Sequence, residues 1–567
     1  MAPWQLYVRR SVKFVTIWLA VSQPFWVVEA KPPVDTKWYI SAAGMLGNVI
    51  ESVAVRSGGA DKEKIKVTQA SDAGDTWTFP DVMENAKAQL SDIITGLMQN
   101  EEGFSAGLEA TKRTLWENLP NLSQLSPGSS SEEGSEWTWE NFLQFMQSKM
   151  VSGESSSVDP PNEENFGSDL PPECGMSTPE MIRHAGYICE VHKVETNDGY
   201  ILDLHRIPFR RDFSAKKQRQ PHSRKRPIIF FQHGILSDSS CWVANGPGRS
   251  LPFLLADAGY DVWLGNVRGS TYARDHRSLN PDVDERYWRF SWQEMAQSDL
   301  PAMIDRALRE SGQKSLYYIG HSQGTLVAFA RLSEDPHFNN KIKMMFALGP
   351  VSTLADITSP VRSLVPLSKP AHIGLSLFGG LEVMPKKPIS KWISAKLHEL
   401  HNSSGASLIY HGNNLMMFLT GINTHHYFQD RLPIYFSHSP AGTSLQNLVH
   451  MSQLVDSGRM EKFNYWSEKE NMEAYGQPTP PEYDVSRIRA PVALFIGSDD
   501  QLADPMDCKR LSSKLKSMVH FQILQDWDHL DFLWGTKAVG TIYKDIMDMI
   551  NDFESKLHFN RSANDEL

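Results

Sequence analysis

The chain has 567 residues, 41% hydrophobic and 22% charged, with a formal charge of −11 and four cysteines. The length exceeds what one ordinary domain needs, and the composition is globular. The acidic balance excludes a nucleic-acid partner, and four scattered cysteines exclude a disulfide scaffold or a zinc site.

Residues 1–30 read as a secretory signal peptide. Arg9, Arg10 and Lys13 precede a mostly apolar run over 14–28, and Val28 and Ala30 supply small residues for cleavage. Gln23 and Pro24 interrupt that run, so it is too short to span a bilayer. No other stretch is apolar enough to be a stable transmembrane segment. Asn121, Asn402 and Asn560 each open an Asn-x-Ser acceptor site, which suits a glycoprotein of the secretory route. The last four residues, Asn564-Asp565-Glu566-Leu567, resemble a retention tail with one position changed, which adds the endoplasmic reticulum to a secreted or lysosomal destination.

Residues 31–173 form an extension of different character. Three segments with helical spacing, around Leu90, Leu108 and Phe145, are separated by Ser-, Gly- and Glu-rich stretches that bury too little to order themselves. The expectation is a helical or partly disordered spacer or pro-region without chemistry of its own.

From residue 174 the pattern becomes strand-like. Two runs joined by Thr196-Asn197-Asp198-Gly199 predict a hairpin. Continuous apolar runs follow at 227–232, 260–264, 316–318 and 343–348, and a helix is expected over 292–309. Buried strands alternating with helices predict an α/β fold with a mostly parallel sheet covered on both faces. The basic stretch at 216–226 reads as a solvated loop. Residues 360–485 break the alternation and read as an inserted, largely helical cap or lid, dense in apolar residues over 408–422. The core, begun in 174–359, resumes over 486–567 with runs at 492–496 and 521–524.

Chemistry concentrates at the ends of these runs. Gly320-His321-Ser322-Gln323-Gly324 follows a strand and precedes a helix, the pattern of a nucleophile elbow. Acids follow the 492–496 run, with Asp499, Asp500 and Asp504 rivals on spacing alone, and His529 follows the last strand. The order Ser, acid, His is that of an α/β-hydrolase. A serine hydroxyl needs a base to become a nucleophile, and imidazole serves as that base and then as the acid for the leaving alcohol. The oxyanion needs two backbone N–H groups, read here as those of Gln323 and Ile235. His321 and His233 read as structural. The pair His425-His426 has no acidic or cysteine ligands at metal spacing, so no metal and no cofactor is expected. Cys174 and Cys189 are the nearest pair for a single bridge, with free buried thiols as the alternative.

Residues 178–555 resemble the acid lipase family, the group of gastric and lysosomal acid lipases. The segments that carry the resemblance begin with His184-Ala185-Gly186-Tyr187, Asn197 to Pro208, Gln232-His233-Gly234-Ile235 and Asp261 to Ser270. They continue with Gly320 to Thr325, Ser439 to Ser444, Leu502-Ala503-Asp504-Pro505 and His529-Leu530-Asp531-Phe532. The resemblance implies an α/β-hydrolase core with a cap and lid, selects Asp500 as the acid, and supports Ile235 and Gln323 as oxyanion donors. It implies hydrolysis of neutral lipid esters, triacylglycerol or cholesteryl ester, at a lipid–water interface. Two features depart from the family: the long extension, and the lack of any cysteine between Cys241 and Cys508, where members carry a pair in the cap. A lipid-binding protein with an occluded site and a short-chain carboxylesterase are the competing expectations.

Overall fold

The computed structural model describes residues 171–211, 226–359, 380–384 and 426–565, with isolated positions between 361 and 372; side chains of the last helix are described to residue 557. The signal segment, most of the extension, Asn121, Asn402, the 216–225 stretch and the apolar cluster at 408–422 lie outside the described residues, as does the side chain of Asn560.

The sheet begins with the expected hairpin, β1 (Glu190–Glu195) and β2 (Tyr200–Ile207), paired antiparallel from Glu190↔Arg206 to Glu195↔Ile201. Six further strands follow: β3 (Ile228–Gln232), β4 (Asp261–Gly265), β5 (Leu316–His321), β6 (Ile342–Leu348), β7 (Val492–Gly497) and β8 (Met518–Leu524). Their spatial order is β1-β2-β4-β3-β5-β6-β7-β8, and the two-residue piece Asp275–His276 pairs with β2 as a ninth strand. From β4 to β8 every pairing is parallel. This is the α/β-hydrolase fold.

Successive residues of a buried strand feed opposite faces. Ile228 and Phe230 join one core with Trp263, Tyr318 and Leu494, whereas Ile229 and Phe231 join the other with Leu264, Tyr317 and Phe495. Helices cover both faces. The first core packs α3 (Leu300–Ser311) and α4 (Gln323–Glu334); the second packs α1 (Thr178–His184), α2 (Leu251–Asp257) and the terminal helix α9 (Lys544–Asp565). The described residues between β6 and β7 include α5 (Leu432–His438), α6 (Leu445–Ser457) and α7 (Glu468–Tyr475) and a short antiparallel pair, Glu382–Val383 with Thr443–Ser444, before α8 (Pro505–Lys514) returns to the core.

The expected single helix over 292–309 is divided. A short turn at Trp292–Glu294 passes through a π-helical turn, Met295–Asp299, before α3 starts. Pro301 lacks the N–H that an uninterrupted α-helix would bond to Gln297, and the wider turn absorbs that break. The four cysteines are free thiols, so Cys174 and Cys189 are not bridged; Cys189, Cys241 and Cys508 are buried.

One buried ion cluster ties the hairpin to the sheet. Arg268, 1% exposed, donates to Asp299 through its backbone N–H (2.9 Å), Nε (2.8 Å) and Nη2 (2.6 Å), and to Asp198 of the hairpin turn through Nη1 at 2.6 Å. Its guanidinium also lies 3.9 Å from the Tyr200 ring centroid. Removing Arg268 strands the buried Asp299 carboxylate where water cannot reach it. Arg268→Met is therefore expected to lower unfolding free energy by about 3–5 kcal/mol, measured by urea unfolding at neutral pH.

Candidate active site

Ser322 sits between β5 and α4 with φ 55° and ψ −124°. A non-glycine residue at positive φ is strained, and the surroundings must hold it there. The Ser322 N–H donates to the Leu348 carbonyl of β6 at 3.1 Å. Its carbonyl accepts from the Thr325 N–H (2.8 Å) and hydroxyl (2.7 Å), and that hydroxyl accepts from the Val351 N–H at 2.8 Å. The flanking glycines are required by space. A Cβ at Gly324 would lie 2.4 Å from the Gln232 carbonyl oxygen, and one at Gly320 would lie 3.1 Å from the Gly324 backbone.

His529 follows β8 and Asp500 follows β7. His529 Nδ1 is 2.8 Å from Asp500 Oδ2, and both residues are buried. The other carboxylate oxygen of Asp500 accepts from the N–H groups of Leu502 (2.9 Å) and Ala503 (2.8 Å). Burial alone would raise the Asp500 pKa, but His529 and these N–H donors outweigh it and hold the carboxyl below its ordinary range. The two sequence rivals are engaged elsewhere. Asp499 accepts from the Ser498 hydroxyl, and Asp504 caps α8 through the Met506 N–H. Asp500 and His529 also border Gly349, where a Cβ would come within 3.2 Å of the imidazole.

The strand ends bring the oxyanion loop to the same place. Gly234 passes so close to Ser322 that a Cβ there would lie 2.9 Å from the Ser322 Cβ. Beyond it Leu236 is held at φ 56°, and its carbonyl accepts from the Ala441 N–H at 2.8 Å. Gln323 is 2% exposed, and its side-chain carbonyl accepts from Asn447 Nδ2 at 2.8 Å. Asn447 in turn accepts from the Trp292 N–H at 2.8 Å, linking α6 to the elbow. The sequence offered no spacing that would have singled out Asn447.

His321 braces the base. Its Nε2 lies 2.8 Å from the His529 carbonyl oxygen, and the two rings are 4.7 Å apart. Burial, then the neighbouring His529, pushes its pKa down to about 3, so it stays a neutral donor. Two acids flank His529. Asp528 accepts the Tyr427 hydroxyl at 2.8 and 2.9 Å and the Leu530 N–H at 2.9 Å. Asp531 accepts the Asp528 N–H at 2.8 Å and pairs with His426 Nδ1 at 3.0 Å. His426 is thus engaged with a carboxylate, and no cluster able to hold a metal occurs among the described residues.

A nucleophile, a base, an orienting acid and two converging backbone segments are the parts of an acyl-transfer site. Comparison with known proteins places the chain in a family. The family model for a partial alpha/beta-hydrolase lipase region matches residues 178–246, and that for the alpha/beta hydrolase fold matches residues 227–368. The chain is 40% identical over 385 residues to lysosomal acid lipase/cholesteryl ester hydrolase of Homo sapiens, covering 68% of this chain and 92% of that one. It is 39% identical over 379 residues to gastric triacylglycerol lipase of Bos taurus, covering 67% and 92%. The chain belongs to the acid lipase family. Mouse lipase member K, 38% identical over 383 residues, is a further relative in this lipase family.

Burial and the Asp528 charge raise the Asp531 pKa from 3.8 to about 6. An acid whose folded pKa lies above its unfolded value holds an extra proton in the native state between those pH values, so the fold gains stability as pH falls from about 6 toward 4. Asp531→Asn is expected to remove roughly 1–3 kcal/mol of that pH dependence. Urea unfolding of both proteins at pH 4.5 and 7 measures it; parallel pH dependences would refute the assignment.

Proposed function

We propose that this chain hydrolyses carboxylic esters of neutral lipids, triacylglycerol or cholesteryl ester, by a Ser322–His529–Asp500 acyl-enzyme mechanism. The observation that carries the reading is the buried 2.8 Å pair between His529 and Asp500, in a fold that also holds Ser322 in a strained elbow at the end of β5. The names of the lysosomal and gastric relatives support the substrate class and a secretory-pathway destination. A cleaved signal over 1–30, an extension over 31–173, a cap over 360–485 and glycans at Asn121, Asn402 and Asn560 belong to the same reading.

In this mechanism His529 takes the Ser322 proton as Oγ attacks the ester carbonyl carbon. Asp500 holds the ring so that Nδ1 keeps its proton and Nε2 stays free to act, and it stabilises the imidazolium. The carbonyl oxygen becomes an oxyanion facing the N–H groups of Ile235 and Gln323. Collapse breaks the ester C–O bond, and His529 gives its proton to the departing alcohol. Water then attacks the acyl-Ser322 ester with His529 again the base, releasing the fatty acid and restoring the serine.

Ser322→Ala is expected to lower turnover of emulsified trioleoylglycerol and cholesteryl oleate by about 10³-fold or more, and Asp500→Asn by about 10⁴-fold. Initial rates on these esters, with a short-chain ester alongside, measure both effects. Undiminished long-chain activity in Ser322→Ala would sink the mechanism, and activity on the short ester alone would move the substrate to the carboxylesterase class.

A further inference from the structure

His233 precedes the Gly234–Ile235 peptide, whose N–H is the proposed second oxyanion donor. Both nitrogens of its buried ring are engaged. Nδ1 lies 2.8 Å from the Gly234 carbonyl oxygen, and Nε2 lies 3.3 Å from the Val267 backbone nitrogen. A backbone N–H only donates, so Nε2 must be the acceptor. The proton therefore sits on Nδ1, which donates to the Gly234 carbonyl. Burial lowers the His233 pKa and keeps this neutral form.

Peptide geometry turns that bond into a statement about catalysis. In a trans peptide the C=O and the following N–H point in opposite directions. With the Gly234 carbonyl drawn to the His233 ring, the Ile235 N–H faces away from it, and among the described residues nothing accepts from that N–H. Gly234 has to be glycine because of Ser322, as the 2.9 Å approach of a Cβ makes plain. The same glycine makes rotation of the peptide cheap, since it tolerates nearly any φ and ψ. Rotated, the peptide would aim a carbonyl oxygen at the developing oxyanion and repel it. Further along, the Ala441 N–H on the Leu236 carbonyl holds the Leu236–Ser237 peptide.

We propose that His233 is a positioning residue that locks the Gly234–Ile235 peptide with its N–H turned into the oxyanion site, so that the hole is formed before substrate arrives. The inference rests on the ester-hydrolase reading above. His233 touches no substrate; it acts through the Ile235 N–H.

The test compares two variants of the full chain, His233→Asn and His233→Phe. Asparagine places an amide N–H close to the position of Nδ1 and can donate to Gly234. Phenylalanine keeps the ring volume and donates nothing, with His233→Leu as the donor-free alternative should Phe not fold. Both variants leave the Val267 N–H without its acceptor, so their difference isolates the Gly234 bond. Near-UV circular dichroism and the thermal midpoint establish folding. The expected result is a 10²–10³-fold lower kcat for the donor-free variant with KM within threefold, because one oxyanion donor is worth about that much. Phosphonate labelling of Ser322, which places an anionic oxygen in the same site, should slow in parallel. Asparagine should recover at least tenfold of both losses. A donor-free variant within threefold of wild type, equal losses in both variants, or a loss confined to KM would each overturn the proposal. Ser322→Ala run alongside separates the two levels. If it is inactive while the donor-free variant is unimpaired, this inference alone fails; if it stays fully active, the ester-hydrolase reading fails and takes this inference with it.

Discussion

The strained backbone at Ser322 is the constraint on which the rest of the structure depends. A serine at φ 55° holds that conformation only when its neighbours leave no alternative. Here the parallel sheet supplies the restraint. The Leu348 carbonyl of β6 takes the Ser322 N–H, and Thr325 bridges the elbow to Val351. Gly324 lets α4 meet β3 at a distance no Cβ would permit, and Gly320 lets β5 pass close to the start of α4. Each restraint is weak alone; together they raise the nucleophile above the strand ends, where β3, β7 and β8 deliver the other parts.

A second theme is the use of neutral histidine. His233, His321 and His450 are buried, and burial drives each pKa down. Each spends its ring nitrogens on backbone or hydroxyl groups: His321 on the His529 carbonyl, His450 on Ser291 and the Glu461 carbonyl. An uncharged imidazole donates and accepts without the desolvation cost of a buried cation. His529 differs in facing a carboxylate, with Nδ1 2.8 Å from Asp500 Oδ2. The same residue type thus serves as scaffold or base according to its partner.

The inserted region is joined to the core at chemically sensitive points. Tyr427 and His426 grip the two acids that flank His529, and Asn447 on α6 holds the Gln323 side chain. The Ala441 N–H holds the oxyanion loop through Leu236. These ties run from the segments within residues 426–447 to all three parts of the candidate site. The geometry around Ser322 therefore depends on how those segments return to the sheet.

Most of this site was legible in the sequence because its logic is local. The spacing of Gly320, Ser322 and Gly324 and the apolar runs that end at Gln232, Ile496 and Leu524 are written in neighbouring residues, and the order of serine, acid and histidine can be read along the chain. Strand ends drifted by up to three residues, and the helix at 292–309 is divided by the π-turn Met295–Asp299 ahead of Pro301 where periodicity alone read it as continuous. The choice among Asp499, Asp500 and Asp504 was not local. Three carboxylates within six residues look alike until the turn after β7 aims one of them at His529 and sends the others to Ser498 and the start of α8.

By itself, then, the sequence determined the fold class and pointed to Ser322 and His529 as the proposed nucleophile and base, because hydrophobic period and turn chemistry act over a few residues. Only the tertiary structure showed that His321 meets the His529 carbonyl, that His233 meets the Gly234 carbonyl, and that Asn447 and Tyr427 reach Gln323 and Asp528; it also pairs Asp500, which the resemblance had selected, with His529. Those contacts join residues as many as 208 positions apart, as between His321 and His529. Residues so distant meet only when the strand order of the sheet brings them to one edge, and no local pattern carries that order.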